Sequence, residues 1–366
     1  MAEVLHITNP AQLVKTWGND VGYGPNAPLT VYIDNDLDFN DENCYYINNT
    51  QLNFYIKVSS PYYASYYYYT SVFIDGQGKT LSNIYQPGTI FMSFVPHGED
   101  GYTGVNLTVQ NITFESFSTN NCFFYTNQLF ASNNRLNSST MRFQNCIFNI
   151  KAIEFDKLFD MGNGGPGTIY FINCIFNIEI ANTSKSVMTL IRARGNLFCE
   201  SCEFRLNIIN GVENTLTINL LDVGTSNSSA YAKATLNNAI VFVNKVYTKT
   251  VVINPIYSEC TAELSDFVDN NLKQINNFFI ASFGQVDSNN KIKLDSNSAS
   301  TDWYVKKMSI YMDSDKIELT SNFQSLISDH PTGAYIINQL TTSQCKNLID
   351  LESAGYIVAN SSNAGA

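Results

Sequence analysis

Apolar and polar positions follow one short pattern that recurs between residues 109 and 204. The repeated phrase is six residues long, rich in aromatic and β-branched residues, with Asn or Ser at its third position. Its clear copies begin at Val109, Phe143, Phe171 and Cys199, and a weaker copy begins at Leu236. The starts are 34, 28, 28 and 37 residues apart. Self-similarity at such a period predicts a solenoid in which each coil carries one copy.

Side-chain parity within the phrase predicts a strand, a bend and a second strand. The fourth and sixth residues, such as Cys146 and Phe148, fall on one face of a strand. The first residue, such as Phe143, has the opposite parity and is equally apolar, so a bend must separate the two segments. The side chains predicted to stack in the interior are Cys146, Cys174, Cys202, Phe148, Phe176 and Phe204.

The bend is predicted at the third residue of each copy. Asn tolerates left-handed backbone angles better than other non-glycine residues, and its amide can hydrogen-bond locally. Coils stacked about 4.8 Å apart place these side chains above one another, so the amides can form a ladder. The predicted positions are Asn111, Asn145, Asn173, Ser201 and Asn238.

This ladder resembles the turn ladders of right-handed parallel β-helices in the pectate-lyase-like superfamily. The segment Val72-Phe-Ile-Asp-Gly-Gln-Gly-Lys-Thr-Leu81 also resembles an IDGxGK coil start that is frequent there. The resemblance covers roughly residues 1 to 290. It implies an all-β fold, a right-handed parallel β-helix solenoid, but no single activity, because one fold hosts many.

Three units are predicted along the chain. Residues 1–27 form an N-terminal strand and a capping helix, with Asn9 as N-cap and Pro10 at the first helical position. Residues 28–301 form the parallel β-helix. Residues 302–366 form a small C-terminal α/β cap or attachment unit.

Composition and charge argue against several classes of function. The net charge of −11 argues against nucleic-acid binding through the phosphate backbone. No apolar run is long enough for a transmembrane helix, so membrane insertion is not expected. The first residues lack the basic start and apolar core of a signal peptide. We therefore expect synthesis in a cytoplasm, with the eight cysteines reduced.

Two groups of residues are candidate binding positions for glycans. One is the tyrosine-rich stretch with Tyr66, Tyr67 and Tyr68, whose rings could stack on sugars. Packing within the coil, or a subunit interface, is the alternative interpretation. The second group consists of charged residues near predicted loops.

In that second group the carboxylates are candidates for glycoside hydrolysis, which requires two of them in one site. They are Asp156, Asp160 and Asp222. Arg192 and Arg194 share a strand face and could bind an acidic group, or could belong to a solvated strand edge.

No metal or cofactor is predicted. The acidic run at 34–41 lacks the central Gly and closing Glu of an EF-hand loop, which leaves a solvated turn as the alternative to a calcium loop. Cys199 and Cys202 form one pair at zinc-ligand spacing, but no second pair follows.

The resemblance implies a catalytic role only where a family motif is present. The superfamily's hydrolases carry Asn-Thr-Asp, Asp-Asp, Gly-His-Gly and Arg-Ile-Lys motifs, and this sequence contains none of them. We therefore predict a non-enzymatic structural or adhesive bacteriophage virion protein: a capsid decoration, head-fibre or tail-spike component. Its expected partners are other virion proteins, a cell-surface polysaccharide and further copies of itself, such as a trimer. The alternatives are a polysaccharide lyase or depolymerase acting in the lateral groove, and an exported adhesin.

Overall fold

The structure is a computed structural model that describes twenty segments of the chain. They are residues 3–10, 12, 28–39, 54–58, 71–84, 92–96, 106–118, 124–126, 140–152, 157–161, 168–180, 185–193, 196–208, 216–223, 232–245, 250–257, 268–283, 291–294, 300–307 and 317–319. Nearly all of these residues lie in β-strands, and every strand pairing is parallel.

The strands follow one another in chain order as β1 (Glu3–Ile7), β2 (Leu29–Ile33), β3 (Leu37–Asp38), β4 (Phe54–Val58), β5 (Ser71–Ile84), β6 (Met92–Pro96), β7 (Asn106–Ser118), β8 (Phe124–Thr126), β9 (Thr140–Gln144), β10 (Ile147–Ala152), β11 (Lys157–Met161), β12 (Thr168–Ile172), β13 (Ile175–Ile180), β14 (Val187–Ala193), β15 (Asn196–Glu200), β16 (Glu203–Ile208), β17 (Leu216–Val223), β18 (Ala232–Asn237), β19 (Ile240–Lys245), β20 (Thr250–Tyr257), β21 (Val268–Phe283), β22 (Lys291–Leu294), β23 (Ser300–Lys307) and β24 (Ile317–Leu319).

Two long parallel sheets run the length of the described chain. The first has 15 strands and contains the segments on both sides of each predicted bend. The second has nine strands and contains one segment per coil, from β4 to β24. Each coil thus passes through the first sheet, turns a corner within it, crosses to the second sheet and returns. This confirms the right-handed parallel β-helix, the hand that parallel crossover connections adopt.

The corner of each coil is a residue with left-handed backbone angles. In the repeated phrases its φ lies between 51° and 56°. These residues are Asn111, Asn145, Asn173, Ser201 and Asn238. Strands pair on both sides of the corner in one register, with Phe143 opposite Phe171 before it and Phe148 opposite Phe176 after it.

The corner amides form a hydrogen-bonded row that runs in one direction. Asn173 Nδ2 donates to Asn145 Oδ1 at 3.3 Å, and Asn145 Nδ2 donates to Asn111 Oδ1 at 3.1 Å. Asn111 Nδ2 donates in turn to Asp75 Oδ1 at 3.0 Å. Because a carboxylate only accepts hydrogen bonds, Asp75 is a suitable end for a row in which every amide donates toward the N-terminus.

Asp75 accepts three hydrogen bonds, which shift its ionisation. Burial, the largest single influence, favours the neutral acid. The backbone N–H of Gln77 and the side chains of Asn111 and Gln110 nevertheless hold the pKa of Asp75 below its ordinary value. A group whose pKa falls on folding stabilises the fold above its unfolded pKa and loses that contribution as the pH falls through the folded pKa.

We expect Asp75→Asn to lower the free energy of unfolding at pH 7 by about 1–2 kcal/mol, because charge-assisted hydrogen bonds are lost. The deficit should shrink as the pH falls below about 4, because the unfolded chain then binds a proton at this position that the folded carboxylate, with its lowered pKa, still excludes. Urea unfolding at pH 7 and pH 3 measures both values. Glu200→Gln, at an exposed position on the same sheet, is the control. An equal deficit at both pH values would contradict this assignment.

Ser201 interrupts the corner row. Among the described residues its side chain makes no hydrogen bond to Asn173 or Asn238, although its φ is 53°. We expect Ser201→Asn to raise the free energy of unfolding by about 1 kcal/mol, since the amide can bridge both neighbours. Ser201→Gly relieves the backbone without adding an amide and separates the two effects. Equal stability of the Asn and Gly variants in thermal unfolding would exclude a contribution from the bridge.

A second amide row crosses the second sheet in the same direction. Asn254 Nδ2 donates to Asn219 Oδ1 at 2.7 Å, and Asn219 Nδ2 donates to Thr189 Oγ1 at 3.5 Å. Asn219 and Thr189 are buried, so these hydrogen bonds replace those to water. Both rows hold neighbouring coils in register.

The interior is built around stacked phenylalanines. Phe114, Phe148, Phe176 and Phe204 are buried, with successive ring centroids 5.2, 5.1 and 4.9 Å apart. The rings are nearly parallel, at interplanar angles of 4°, 15° and 2°. Phe159 of the second sheet meets Phe148 edge-on at 5.1 Å. The core therefore lies between the two sheets and joins them.

A column of thiols lies beside these rings. Cys146, Cys174 and Cys202 are 0% exposed, and each Sγ donates to a backbone carbonyl oxygen of the preceding coil at 3.4–3.6 Å. Burial raises the pKa of all three thiols well above the ordinary value. These cysteines are free and act as small apolar core residues.

We expect the thiols of Cys146, Cys174 and Cys202 to resist alkylation in the native protein. Reaction needs an exposed thiolate, and burial opposes both exposure and ionisation. Iodoacetamide labelling followed by peptide mass spectrometry should show modification only as the coils open in urea. Labelling of these three residues at the rate of a free peptide would disprove their place in the core.

Only the first residues of the predicted N-terminal helix lie within the described part of the chain. Gln12 N–H donates to Asn9 Oδ1 at 3.0 Å, as expected for Asn9 as an N-cap, and Thr8 N–H donates to Gln12 Oε1 at 2.7 Å. Residues 13–27 lie outside the described residues, so the capping helix remains a prediction. At the other end, β23 crosses the predicted boundary at 301/302 and pairs with β21. Residues 320–366 lie outside the described residues.

The acidic run after β2 links two coils. Three of its aspartates accept hydrogen bonds from the next coil at 2.9, 2.8 and 2.7 Å. The pairs are Asp34 with Gln77, Asp36 with Thr80 and Asp38 with Asn83. The pairing supports the turn interpretation of this run.

Candidate functional site

An outer groove lies on the first sheet, on the strands that follow the corner. Its volume is about 370 Å³, within the range of about 300–1,000 Å³ that is typical of ligand sites. Strands β7, β10, β13 and β16 form it, one from each of four consecutive coils. The polar residues that line it are Glu115, Asn149, Lys151, Asn177, Glu179, Arg205 and Asn207.

Strand alternation places these side chains outside. In β10 the buried residues Phe148 and Ile150 alternate with Asn149 and Lys151. The coil register then aligns equivalent positions, so that Asn149 lies opposite Asn177. The core that fixes Phe148 therefore also fixes the lining of the groove.

A row of amides runs along the groove and ends on a carboxylate. Asn177 Nδ2 donates to Asn149 Oδ1 at 2.6 Å, and Asn149 Nδ2 donates to Glu115 Oε1 at 3.4 Å. The direction is the same as in the corner row. Because an amide has two N–H donors and an oxygen with two lone pairs, Asn149 keeps one donor and one acceptor site beyond these two bonds.

Arg205 lies at the other end of this row and is held by Glu203. Its Nε donates to Glu203 Oε2 at 3.0 Å, and its Nη2 donates to the same oxygen. The Glu203 side chain is 8% exposed, whereas that of Arg205 is 47% exposed. The guanidinium also lies over an aromatic ring, with Cζ 5.7 Å from the centroid of Phe242, within the range of a cation–π contact. Arg205 is thus fixed in place and partly open to the groove.

Lys151 and Glu179 form the second outward column of the groove. They are direct partners in the register of β10 and β13, with Asn207 next along the column. Opposite charges at directly paired positions attract each other across neighbouring strands. Both charge signs in the groove therefore have a nearby counterpart.

The charged residues predicted from the sequence fall elsewhere. Asp160 and Arg192 are register partners in the second sheet and form an ion pair at 3.8 Å, with side chains 21% and 16% exposed. Asp222, the partner of Arg192 on the next coil, is 0% exposed. The structure brings these three residues together, but in a largely buried column rather than on a solvated strand edge.

The other predicted binding residues lie outside the described residues. They are Tyr66, Tyr67, Tyr68, Asp156 and Arg194. The sugar-stacking role of the tyrosines therefore stays a prediction.

The residues of the outer groove were missed at the sequence level, although a signal was present. The repeated phrase ends at Phe148 and Phe176, and the next residue of each copy is Asn. Extending the alignment by one residue places Asn149, Asn177 and Arg205 in one outward column.

Within the described ranges, no three His, Cys, Asp or Glu side chains come together as a metal-binding group. Among the same residues no helix is long and apolar enough to cross a membrane.

Comparisons with known proteins give little beyond this geometry. No family model matches the chain, and no curated protein matches it. A crystal structure of a proposed immunoglobulin A1 protease from Bacteroides ovatus is similar, with 14% identity and a TM-score of 0.40, over 82% of this chain and 84% of that chain. A similarity at this level says nothing of what either chain does.

Proposed function

We propose that this chain is a structural and adhesive β-helix that binds a glycan in the outer groove. The observation that carries the proposal is the row formed by Asn177, Asn149 and Glu115, whose side chains are already fixed by hydrogen bonds to one another. A prearranged row requires little side-chain ordering when a ligand binds, and this favours affinity.

The chemistry of the row suits sugar hydroxyl groups. Asn149 retains one donor and one acceptor site, and a hydroxyl group can both donate and accept. The coils repeat about every 4.8 Å, so a linear polymer lying along the solenoid axis meets similar polar groups at regular intervals. A linear polysaccharide is the polymer that offers hydroxyl groups along its whole length.

Binding of the full chain to an array of surface and capsular glycans tests this proposal. We expect Asn149→Ala and Asn177→Ala to weaken binding about tenfold each, which corresponds to the loss of one or two hydrogen bonds. Asn196→Ala is the matched control, because Asn196 is a surface Asn before the corner that donates to Thr168 outside the groove. If no glycan on the array is bound, the proposal fails.

For the place of action we propose the surface of a bacteriophage particle, with other virion proteins as partners. The support is a general one: a β-helix with a continuous core forms a stiff rod, which suits a capsid decoration or spike. Mass spectrometry of purified phage particles from the same source should find the chain at stoichiometric copy number. Its absence from such particles would exclude the proposed location on the virion but would not bear on glycan binding in the groove.

A second candidate function is cleavage of the bound glycan. It is favoured by the presence of two carboxylates, Glu115 and Glu179, in one groove, as glycoside hydrolysis requires. Reducing-end and unsaturated-product assays on bound glycans test it. Turnover that is abolished in both Glu115→Gln and Glu179→Gln would establish a depolymerase, and absence of turnover with binding intact would leave adhesion alone.

A further inference from the structure

We infer that the glycan bound in the outer groove is uncharged, rather than one of the acidic polysaccharides. This inference rests on the proposed function and narrows it to a ligand class. It depends on how the charges of the groove are compensated.

Arg205 is the cation best placed to attract an anionic sugar, but its charge is already matched. Two of its nitrogens, Nε and Nη2, are committed to Glu203 Oε2. The Glu203 carboxylate is nearly buried against the guanidinium, so the two opposite charges form a pair with no net charge at this end of the groove. An incoming carboxylate would meet a neutral pair rather than a free guanidinium.

Lys151, the second cation of the groove, directly faces Glu179 in the strand register. Glu115 adds a further negative charge at the end of the amide row. Lys151 and Arg205 thus stand against Glu115, Glu179 and Glu203, so the local sum is slightly negative. Such a site repels polyanions and gives a polyanion no net Coulomb gain.

The remaining hydrogen-bonding capacity of the groove lies instead in two of its amides. Asn149 and Asn177 occupy the middle of the first outward column. Neutral amides bind hydroxyl or acetamido groups without a charge on the ligand. The overall charge of −11 acts in the same sense at long range, because it opposes the approach of an acidic polymer.

The test compares neutral, uronate-containing and amino-sugar oligosaccharides of equal length, by calorimetry on the full chain at low and high NaCl. We expect the neutral series to bind with a Kd that changes less than about twofold with salt, because no ion pair forms. Tighter binding of the uronate series, weakened strongly by salt, would overturn this inference but support glycan binding. Binding of extended polar peptides with no glycan bound would overturn both.

Variants separate charge from amide recognition. The double variant Glu203→Gln/Arg205→Gln removes the pair without leaving a buried carboxylate alone, and Lys151→Gln removes the second cation. We expect each to keep the Kd for the neutral ligand within about threefold, while Asn177→Ala raises it about tenfold. A tenfold loss in the charge variants, with unchanged thermal stability, would show that cations carry the recognition and would overturn the inference.

Discussion

Replacing Phe148 by Ala is expected to lower the free energy of unfolding by about 3–5 kcal/mol, because a large buried ring leaves a cavity. Among the described residues, Phe148 packs against rings of both sheets and so links them. It stacks on Phe114 and Phe176 and meets Phe159 edge-on. Urea unfolding monitored by circular dichroism measures the loss.

A matched control lies on the outside of the same sheet. Phe198 stacks on Tyr170 with a centroid distance of 5.1 Å but remains partly exposed. We expect Phe198→Ala to cost only about 1 kcal/mol, since less area is uncovered and no cavity forms. Similar losses for Phe148→Ala and Phe198→Ala would mean that the interior stack does not stabilise the solenoid as described.

The second large effect is expected at Gly76. A Cβ atom there would lie 2.1 Å from Ile112 Cγ1 and 2.6 Å from the backbone oxygen of Asn111. Neither distance is tolerable, and the backbone oxygen cannot move without shifting the next coil. We expect Gly76→Ala to destabilise the protein by about 3 kcal/mol or more, the upper range for overpacking.

Gly78, two residues later, separates crowding from backbone strain. Its φ is +78°, but nothing lies within 4 Å of a Cβ built there. Gly78→Ala should therefore cost only about 1–2 kcal/mol, the penalty of left-handed angles for a residue with a Cβ. Thermal unfolding of both variants measures the difference. A larger loss at Gly78 than at Gly76 would show that strain, not close approach, decides the choice of glycine.

The fold was predictable because one local signal repeats. Asn145 and Asn173 mark corners at the phrase period, and the parity of Phe143 against Phe148 already requires a bend inside an apolar strand. Stacking then follows from the period alone. The contact that makes Gly76 necessary was not predictable, because Ile112 belongs to the next coil.

The second sheet and its charges were less accessible to sequence reasoning. No repeated phrase marks its strands, so nothing in the sequence sets the register that brings Asp160 opposite Arg192. The groove was missed for a different reason. Its residues follow directly after the phrase, where Asn149 and Asn177 read as ordinary polar strand positions. Their alignment becomes evident only when the coils are superimposed on one another.

The uniform direction of the amide rows has a consequence for the length of the solenoid. A coil that begins at Asn145 offers an amide oxygen to the coil after it and an amide N–H to the coil before it. The upper surface of such a coil therefore complements the lower surface of an identical copy. Gene duplication of this 28-residue period would lengthen the rod by about 4.8 Å per copy without leaving an unmatched amide. The number of coils is thus open to evolutionary change, whereas the carboxylates that end the corner row and the groove row, Asp75 and Glu115, have to stay on the N-terminal side.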